Sequence, residues 1–379
     1  MKKSKKILFI VPSASINGAI ILLMHFFDYL LKNSPGTKIE IIVQWGKDED
    51  QDTFFRKRLA EYGTVTFLEE LTENKKNDLK KRIETESIDA MFFNSIISVN
   101  TQMLFAAKKC KKIYYVHEME KLMNVFNLRA LTDHYNEANN HFVAGSISVK
   151  EALMRVLNLS EERIDVVHSF INPDDIRQQA KKFAELEKNQ DSGKKTFTIG
   201  FSGTFELRKS ADLLLPLVRE IKKRIKDSAI YWVGAQPFNG EMGTYEMVMH
   251  DVKLGGFEKD IIFLPKSLDY IKHHRKFDVY VTLSREDPFP LVNIEMGAMG
   301  IPIICFDRSG GSPDYANLGG GVAVPFMDLE AVADQIKEFY SNPKLLENYK
   351  KTTPLIVDNK FSIQSQAPKL LNILQNFIK

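Results

Sequence analysis

The sequence has few cysteines and no strong excess of either charge. Cys110 and Cys305 are the two cysteines among 379 residues, and they form neither a CxxC pair nor a Cys/His cluster. We therefore expect neither a disulfide framework nor a thiolate zinc site. The low cysteine content is typical of a protein in the reducing cytoplasm. Lysines and arginines number 52 against 49 aspartates and glutamates, giving a net charge of +3. This balance is too even for a protein that coats nucleic acid.

Long apolar runs are also lacking. The run 7–11 follows four lysines near the N-terminus and ends at Pro12. It is far shorter than the ~20 residues of a membrane span, and no small-residue cleavage site follows it. We therefore expect a short buried strand there, in a cytoplasmic protein, rather than a signal peptide or a membrane anchor. The composition, 44% hydrophobic and 27% charged, is globular.

Short apolar runs alternate with longer amphipathic segments along the whole chain. A first series of runs occupies 7–11, 39–43, 65–68, 90–93 and 113–116. Their apolar character is nearly continuous, as is typical of strands buried on both faces of a parallel sheet. Because helical segments separate the runs, the pattern predicts a doubly wound α/β fold.

A second, similar series begins near residue 197, after a polar stretch that contains Ser-Gly. The sequence thus predicts an N-terminal Rossmann-like domain at 1–172, a linker at 173–195 and a second Rossmann-like domain at 196–360. The apolar periodicity of 361–379 predicts a C-terminal helix, which we expect to pack back toward the N-terminal domain.

An acidic, proline-rich loop follows the apolar run 279–283. Pro288 and Pro290 cannot continue a strand, whereas proline is favoured in the first turn of a helix. We therefore predict a helix from near Pro290 to Met299, with Gly300 after its end.

The first turn of that helix would offer an anion site between two carboxylates. The backbone amides of Leu291 and Val292 favour a bound anion. Asp287 precedes the helix and Glu295 lies more than one turn inside it, so the two carboxylates would face opposite ends of a ligand. A sugar–diphosphate–nucleoside has this order of hydroxyls, anion and hydroxyls. An acidic helix cap with a solvated glutamate is the alternative interpretation.

The stretch that ends at Glu295 has a distinctive pattern: an apolar strand, Ser284, an acidic residue, seven further residues and then Glu295. This pattern resembles the signature of retaining GT-B glycosyltransferases of family 4, the glycosyl transferases group 1. The resemblance implies two Rossmann-like domains that face a central cleft, the first for the acceptor and the second for the nucleotide sugar. The family usually has Glu at both ends of the signature. Here Asp287 has the matching spacing and Glu286 lies beside it, so either could contact the sugar, and we favour Asp287. Glu295 would then bind the ribose.

The stretch that begins at Gly203 resembles the family's loop after the first strand of the second domain. Lys209 matches the family lysine that holds the donor diphosphate. Thr204 stands where the family often has arginine, so the resemblance implies that Arg208 supplies this charge. A leaving diphosphate gains negative charge as the glycosidic bond breaks, and fixed cations stabilise that transition state. A solvated helix start is the alternative, although cations there are unfavourable to the helix dipole.

Four further loops resemble family features. Gly18 lies in a loop like the family's glycine loop, whose backbone approaches donor phosphate or acceptor, although a plain turn is an equal alternative. His117 matches the first-domain histidine near the transferred sugar. Gly310 and Gly311 would let the backbone approach that sugar, and Pro265 lies in the loop that receives the nucleoside base. The Rossmann GxGxxG fingerprint is absent, which argues against a dinucleotide oxidoreductase.

The resemblance implies a metal-independent, hexosyltransferase-type enzyme of class 2.4 with no cofactor. Its donor would be a UDP- or GDP-linked sugar, and its acceptor a saccharide or lipid-linked glycan in cell-surface polysaccharide biosynthesis. Two alternatives remain open: a sugar-nucleotide epimerase of the same architecture, and an inactive nucleotide-sugar-binding subunit. The run Asp48-Glu49-Asp50 has the Asp-x-Asp pattern of metal-dependent glycosyltransferases, but a solvated charged loop is the better interpretation.

Basic clusters occur in the first domain at 56–58, 80–82 and 108–112. Such clusters would attract anionic lipid, so we predict weak, salt-sensitive peripheral binding at the inner face of the membrane. Solvated helix faces are an equally good interpretation of these clusters.

Overall fold

The computed structural model describes residues 5–14, 17–46, 52–187, 196–236 and 243–378. Three features discussed above lie partly or wholly outside these ranges. They are the acidic run 48–50, the middle of the Gly18 loop at 15–16, and residues 188–195 of the predicted linker.

The first compact unit contains a seven-stranded parallel sheet. Its strands are β1 (Lys6–Ser13), β2 (Lys38–Trp45), β3 (Thr64–Phe67), β4 (Ala90–Phe93), β5 (Lys111–Val116), β6 (Asn140–Ala144) and β7 (Ile164–Val166). They lie in the order β3-β2-β1-β4-β5-β6-β7. Leu8 and Phe9 of β1 are buried in separate cores on the two faces of the sheet. This double burial explains the continuous apolar runs in the sequence.

Helices connect these strands in the manner of parallel crossovers. They are α1 (Gly18–Asn33), α2 (Asp52–Ala60), α3 (Glu73–Thr85), α4 (Val99–Leu104), α5 (Glu120–Val125), α6 (Thr132–Tyr135) and α7 (Ile147–Leu157). Helix α1 begins at Gly18 because the side chain of Asn17 accepts a hydrogen bond from the Ile20 amide at 3.0 Å.

The second unit contains a six-stranded parallel sheet in the order β10-β9-β8-β11-β12-β13. Its strands are β8 (Phe197–Ser202), β9 (Ser228–Val233), β10 (Ile261–Leu264), β11 (Val279–Thr282), β12 (Ile303–Phe306) and β13 (Gly321–Val324). Its helices are α8 (Pro173–Glu187), α9 (Leu214–Arg224), α10 (Thr244–Gly255), α11 (Ile271–His274), α12 (Leu291–Ala298), α13 (Ser312–Tyr315), α14 (Leu329–Ser341) and α15 (Pro343–Lys360). The prediction of two doubly wound parallel-sheet domains is confirmed.

The unit boundaries differ from the predicted domain limits. The first unit comprises Met1–Phe170 and Ile363–Lys379, and the second comprises Ile171–Ser362. The predicted linker instead begins with α8, whose Ile176 is buried in the core of the second unit. The segment is mostly polar, so its composition did not indicate that one side of α8 packs into a core. The last helix, α16 (Ile363–Phe377), buries Leu370 and Leu374 in the core of the first unit.

Each sheet reverses its strand order beside its first strand. The reversals lie between β1 and β4 in the first unit and between β8 and β11 in the second. Doubly wound domains bind ligands at the carboxyl ends of the strands at such a point. Lys209 lies in the loop after β8, and Asp287 lies in the loop after β11. Because β8 and β11 are neighbours in the sheet, these two loops lie side by side.

Candidate functional site

The loop after β8 starts with a glycine that its backbone requires. Gly203 has a φ of +136°, a region that favours glycine. Its carbonyl accepts a hydrogen bond from the indole N–H of Trp232 at 2.7 Å, and its amide donates to the Val233 carbonyl at 2.9 Å. The loop then forms a single 3₁₀ turn, Leu207–Lys209. These contacts fix the path of the chain that leads to Arg208 and Lys209.

Arg285 ties this loop to the loop after β11. Its guanidinium donates two hydrogen bonds to the carboxylate of Asp212, both at 2.8 Å, and one to the Leu207 carbonyl at 2.6 Å. Its backbone amide also donates to the Arg208 carbonyl at 2.9 Å. A two-pronged Arg–carboxylate pair fixes direction as well as distance. This pair was not predicted from the sequence, although both residues lie in loops that follow neighbouring strands.

Asp287 is the centre of a charged cluster. Its side chain is buried, and Oδ2 accepts hydrogen bonds from the Lys209 ammonium and from Nη1 of Arg208, the latter at 3.1 Å. Nη2 of Arg208 donates to Glu206 at 3.1 Å. Burial alone would raise the pKa of Asp287, but the charges of Lys209 and Arg208 outweigh it and hold this pKa below its ordinary value. The carboxyl group is therefore ionised at neutral pH.

The structure distinguishes Asp287 from its neighbour Glu286. The carboxylate of Asp287 contacts both cations, whereas Glu286 contacts Arg208 through its backbone carbonyl, at 3.3 Å from Nη1. The side chain of Asp287 is buried and Glu286 is partly exposed. Asp287 thus holds its buried carboxylate beside Arg208 and Lys209.

The glycine pair after β12 holds the backbone at Asp287. Gly310 has a φ of +96°, and a Cβ there would lie 2.0 Å from the Asp287 carbonyl oxygen. A Cβ on Gly311 would lie 2.2 Å from the Pro288 carbonyl oxygen. The Gly311 amide donates to the Asp287 carbonyl at 2.9 Å, and the Asp287 amide donates to Ser309 at 2.9 Å. Both glycines therefore permit a close backbone pairing that orients Asp287.

The predicted helix is confirmed and begins beside this cluster. Pro290 caps α12, and Leu291 and Val292 are its first residues. The first backbone N–H groups of a helix have no partner within it, so they face outward as donors. A small cavity is lined by side chains from both loops, among them Lys209, Pro290 and Val292. The ammonium of Lys209 and the positive end of α12 therefore border one concave site at the point of strand reversal.

Glu295 lies inside α12 and is buried. The phenol of Tyr270 donates a hydrogen bond to its Oε1 at 2.8 Å. Burial raises the pKa of Glu295 to about 7, against the opposing effect of that hydrogen bond. The contact of Tyr270 was not predictable from the sequence, because residues 25 apart meet here only through the fold. The predicted Pro265 is exposed in the loop after β10, an outer strand that β9 separates from β8.

Replacement of Glu295 by Gln is expected to stabilise the protein at alkaline pH. Because the native pKa lies near 7 and an unfolded glutamate titrates near 4.5, the wild type loses stability as pH rises between these values. Glutamine has no such loss. We expect Glu295→Gln to exceed the wild type by on the order of 2–3 kcal/mol in unfolding free energy at pH 8, and by less at pH 5.

Urea unfolding at both pH values measures this difference. Glu258→Gln, at an exposed glutamate of the same unit, is the matched control and should show no comparable pH-dependent gain. A Glu295→Gln variant that is equally stable at pH 5 and pH 8 relative to the wild type would contradict a buried, proton-retaining carboxyl group.

In the first unit, polar residues meet at the carboxyl ends of β4 and β5. Nε2 of His117 lies 3.3 Å from Oδ1 of Asn94, whose Nδ2 donates to the Ala19 carbonyl of α1 at 3.0 Å. Burial lowers the pKa of His117 to about 3, so its ring is neutral at pH 7. The predicted Gly18 is the exposed first residue of α1. The start of α1 and the end of β5 are therefore linked through Asn94.

The residue after His117 is a second buried carboxyl group. Glu118 accepts hydrogen bonds from the hydroxyl of Ser95 and from the backbone amides of Ile96 and His117, at 3.2 and 3.1 Å for the amides. Burial raises its pKa, although these bonds oppose the rise. Glu118 thus braces the two loops that carry Asn94 and His117.

Sequence comparisons find relatives among the glycosyltransferases. Residues 172–355 match the family model described as Glycosyl transferases group 1. A GDP-mannose-dependent alpha-(1-6)-phosphatidylinositol monomannoside mannosyltransferase of Mycolicibacterium smegmatis is 25% identical over 148 residues, 36% of this chain. The capsular polysaccharide biosynthesis glycosyltransferase CapM of Staphylococcus aureus is 25% identical over 120 residues, 32% of this chain. The chain spans 37% and 32% of the lengths of these relatives.

Solved structures resemble the chain over almost its whole length. HepE of Anabaena in complex with UDP has a TM-score of 0.80 at 15% identity, over 98% of this chain and 100% of the other. A glycosyltransferase from Rickettsia africae has a TM-score of 0.79 at 19% identity, over 99% of both chains. The fold is GT-B, and the family match supports a group 1 glycosyltransferase. None of the helices in the described ranges is both long enough and apolar enough to cross a bilayer.

Proposed function

We propose that this protein is a retaining glycosyltransferase of family 4 that transfers a hexose from a nucleoside-diphosphate donor to a saccharide or lipid-linked acceptor. One observation carries the proposal: Lys209, Arg208 and Asp287 gather beside the first turn of α12, at the point where the second sheet reverses its strand order. The segment that matches the group 1 family contains all of these residues.

The donor diphosphate would lie against Lys209 and the amides of Leu291 and Val292. An ammonium has three N–H donors, and the contact with Asp287 uses one of them. The charges of Arg208, Lys209, Asp287 and Glu206 sum to zero, so the remaining ammonium donors and the helix terminus supply the attraction for an anion. The proposed site therefore selects a group that accepts hydrogen bonds from both.

The other residues would orient the two ends of the donor. Asp287 would accept hydrogen bonds from sugar hydroxyls, and Glu295 from the ribose hydroxyls. The family resemblance alone suggests that His117, whose ring is neutral, contacts the sugar. With these assignments, the carboxylates that accept hydrogen bonds from ligand hydroxyls lie before α12 and inside it. The N–H groups that donate hydrogen bonds to the phosphates lie at the start of α12.

The proposed reaction keeps the anomeric configuration. The bond between the anomeric carbon and the diphosphate oxygen breaks, the acceptor oxygen bonds to that carbon on the same face, and the acceptor proton passes to a diphosphate oxygen. We assign no protein nucleophile. Lys209 and the amides of α12 would stabilise the charge that develops on the diphosphate, and we propose that the reaction needs no metal ion.

The comparisons suggest the classes of donor and acceptor. HepE was crystallised with UDP and with UDP-glucose, and the mycobacterial relative is named for GDP-mannose and a phosphatidylinositol mannoside. CapM is named for capsular polysaccharide biosynthesis. We therefore propose a UDP- or GDP-linked sugar as donor, an acceptor in cell-surface glycan synthesis, and action at the cytoplasmic face of the membrane.

A panel of UDP- and GDP-sugars tests the function directly. One donor should raise the melting temperature of the pure protein, and nucleoside diphosphate should be released only when an acceptor is added. NMR of the product should show the anomeric configuration of the donor. An inverted product would refute retention, an epimerised donor without transfer would indicate an epimerase, and binding without turnover would indicate an inactive subunit.

A further inference from the structure

Helix α5 of the first unit exposes an apolar face. Leu122, Val125 and Phe126 are 37%, 70% and 36% exposed, and their i, i+3, i+4 spacing places them on one side of the helix. Met123, which lies outside this face, is fully buried and anchors the helix in the core. The apolar side chains are therefore held outward by a packed element.

An indole and two basic side chains adjoin this face. The ring of Trp45, at the end of β2, lies 6.3 Å from that of Phe126. Lys121 and Arg129 are exposed at either end of the apolar face. The acidic residue within this segment, Glu120, forms an ion pair with Arg155 of α7 at 2.9 Å. We define the α5 patch as Trp45, Lys121, Leu122, Val125, Phe126 and Arg129.

Three members of the basic clusters that first suggested lipid binding are engaged at the other edge of the sheet. Arg82 pairs with Glu40 and Glu86, and Lys108 is buried with its ammonium against the Glu84 and Glu86 carbonyls. Lys112 is also buried, at the start of β5. Side chains at the starts of parallel strands lie at the amino edge of the sheet.

The α5 patch lies at the opposite edge. Helix α5 follows the carboxyl end of β5 within a few residues of His117, and Trp45 ends β2. Ligands of doubly wound domains bind at this carboxyl edge. The exposed apolar face is therefore next to the polar cluster of Asn94, His117 and Glu118.

We propose that the α5 patch docks on an anionic lipid bilayer and so presents the carboxyl edge of the first sheet to the membrane surface. Aromatic and aliphatic side chains flanked by lysine and arginine are the composition of segments that lie in the headgroup region. The proposal deepens the proposed function, because a lipid-linked acceptor would emerge at that surface.

A second copy of the chain fits the patch less well. Three apolar side chains and an indole cover far less than the roughly 1,000 Å² that a stable interface needs. In a two-fold dimer the basic ends of two such patches would also repel one another, whereas anionic headgroups attract them.

Vesicle flotation of the full-length protein tests the proposal. The wild type should float with vesicles of phosphatidylcholine and phosphatidylglycerol at 7:3 and not with pure phosphatidylcholine, and binding should weaken in high salt. Lys121→Gln/Arg129→Gln should lower the partition coefficient about 30-fold. Leu122→Ser/Val125→Ser should lower it at least as much, and circular dichroism should show an unchanged fold.

Matched controls separate this surface from general basicity. Lys80→Gln/Lys81→Gln removes the same charge from α3, and Leu254→Ser removes an apolar side chain that is 75% exposed in the second unit. Both should bind like the wild type. The proposal would be overturned if the wild-type protein did not bind anionic vesicles, or if only the α3 variant lost binding. It would also be overturned if the wild type were a dimer and the α5 variants were monomers. Nucleoside diphosphate titration of each variant, without vesicles, tests the proposed function independently.

Discussion

Lys209→Ala is expected to lower turnover by about 10²–10³-fold, the usual effect of removing one donor that stabilises transition-state charge. The ammonium contacts Asp287, and Lys209 lines the cavity beside α12, where the leaving diphosphate would develop its charge. The effect on folding should be small by comparison, because Arg208 still pairs with Asp287 at 3.1 Å. Steady-state kinetics with the identified donor, together with urea unfolding, measures both quantities.

Lys222→Ala is the matched control for this change. Lys222 also forms an ion pair within the second unit, with Asp260 at 2.7 Å, but it lies by Ser228 at the start of β9 and thus at the amino edge of the sheet. Its loss should leave turnover within about twofold of the wild type. If Lys209→Ala retained the full rate, Lys209 would have no part in the site.

Asp287→Asn is expected to damage both activity and stability. The substitution leaves the ammonium of Lys209 and the guanidinium of Arg208 facing a neutral amide in a buried position. Breaking a fully buried ion pair costs about 3–5 kcal/mol. Since Lys209 and Arg208 are partly exposed, we expect a loss of about 2 kcal/mol in unfolding free energy, and a fall in turnover of at least about 10²-fold.

Glu286→Gln decides between the two acidic residues that the sequence left open. Glu286 contacts Arg208 through its backbone carbonyl, a contact that glutamine retains. The turnover of this variant should therefore fall less than that of Asp287→Asn, because the carboxylate of Asp287 is the one that contacts Lys209 and Arg208. A greater loss of turnover in Glu286→Gln than in Asp287→Asn would reverse the assignment and place the glutamate on the sugar.

Features set by local rules were predictable from the sequence. Pro288 and Pro290 end one element and start the next because proline fixes φ and lacks an amide, and α12 begins where they predict. Apolar runs without alternation identified the parallel strands because both faces of each sheet are covered. Gly203 and Gly310 both have a positive φ. They lie in the two loops whose glycines the sequence had already marked.

Pairings between distant residues were not predictable in this way. Tyr270 reaches Glu295, and Arg285 reaches Asp212 across 73 positions of the chain. No spacing rule connects such residues, because the order of the strands in the sheet decides which loops become neighbours. The same holds for the basic residue Lys108, whose burial against backbone carbonyls removes it from the surface that its sequence context suggested.

The sequence by itself determined the two parallel-sheet domains, the helix after Pro290 and the loops that hold the charged residues. These follow from short-range sterics and from the period at which apolar side chains repeat. The tertiary structure decided that the carboxylate of Asp287 contacts Lys209, and that the exposed apolar face lies on α5. Adjacent side chains differ mainly in direction, and only the packing of each loop against its neighbours fixes that direction.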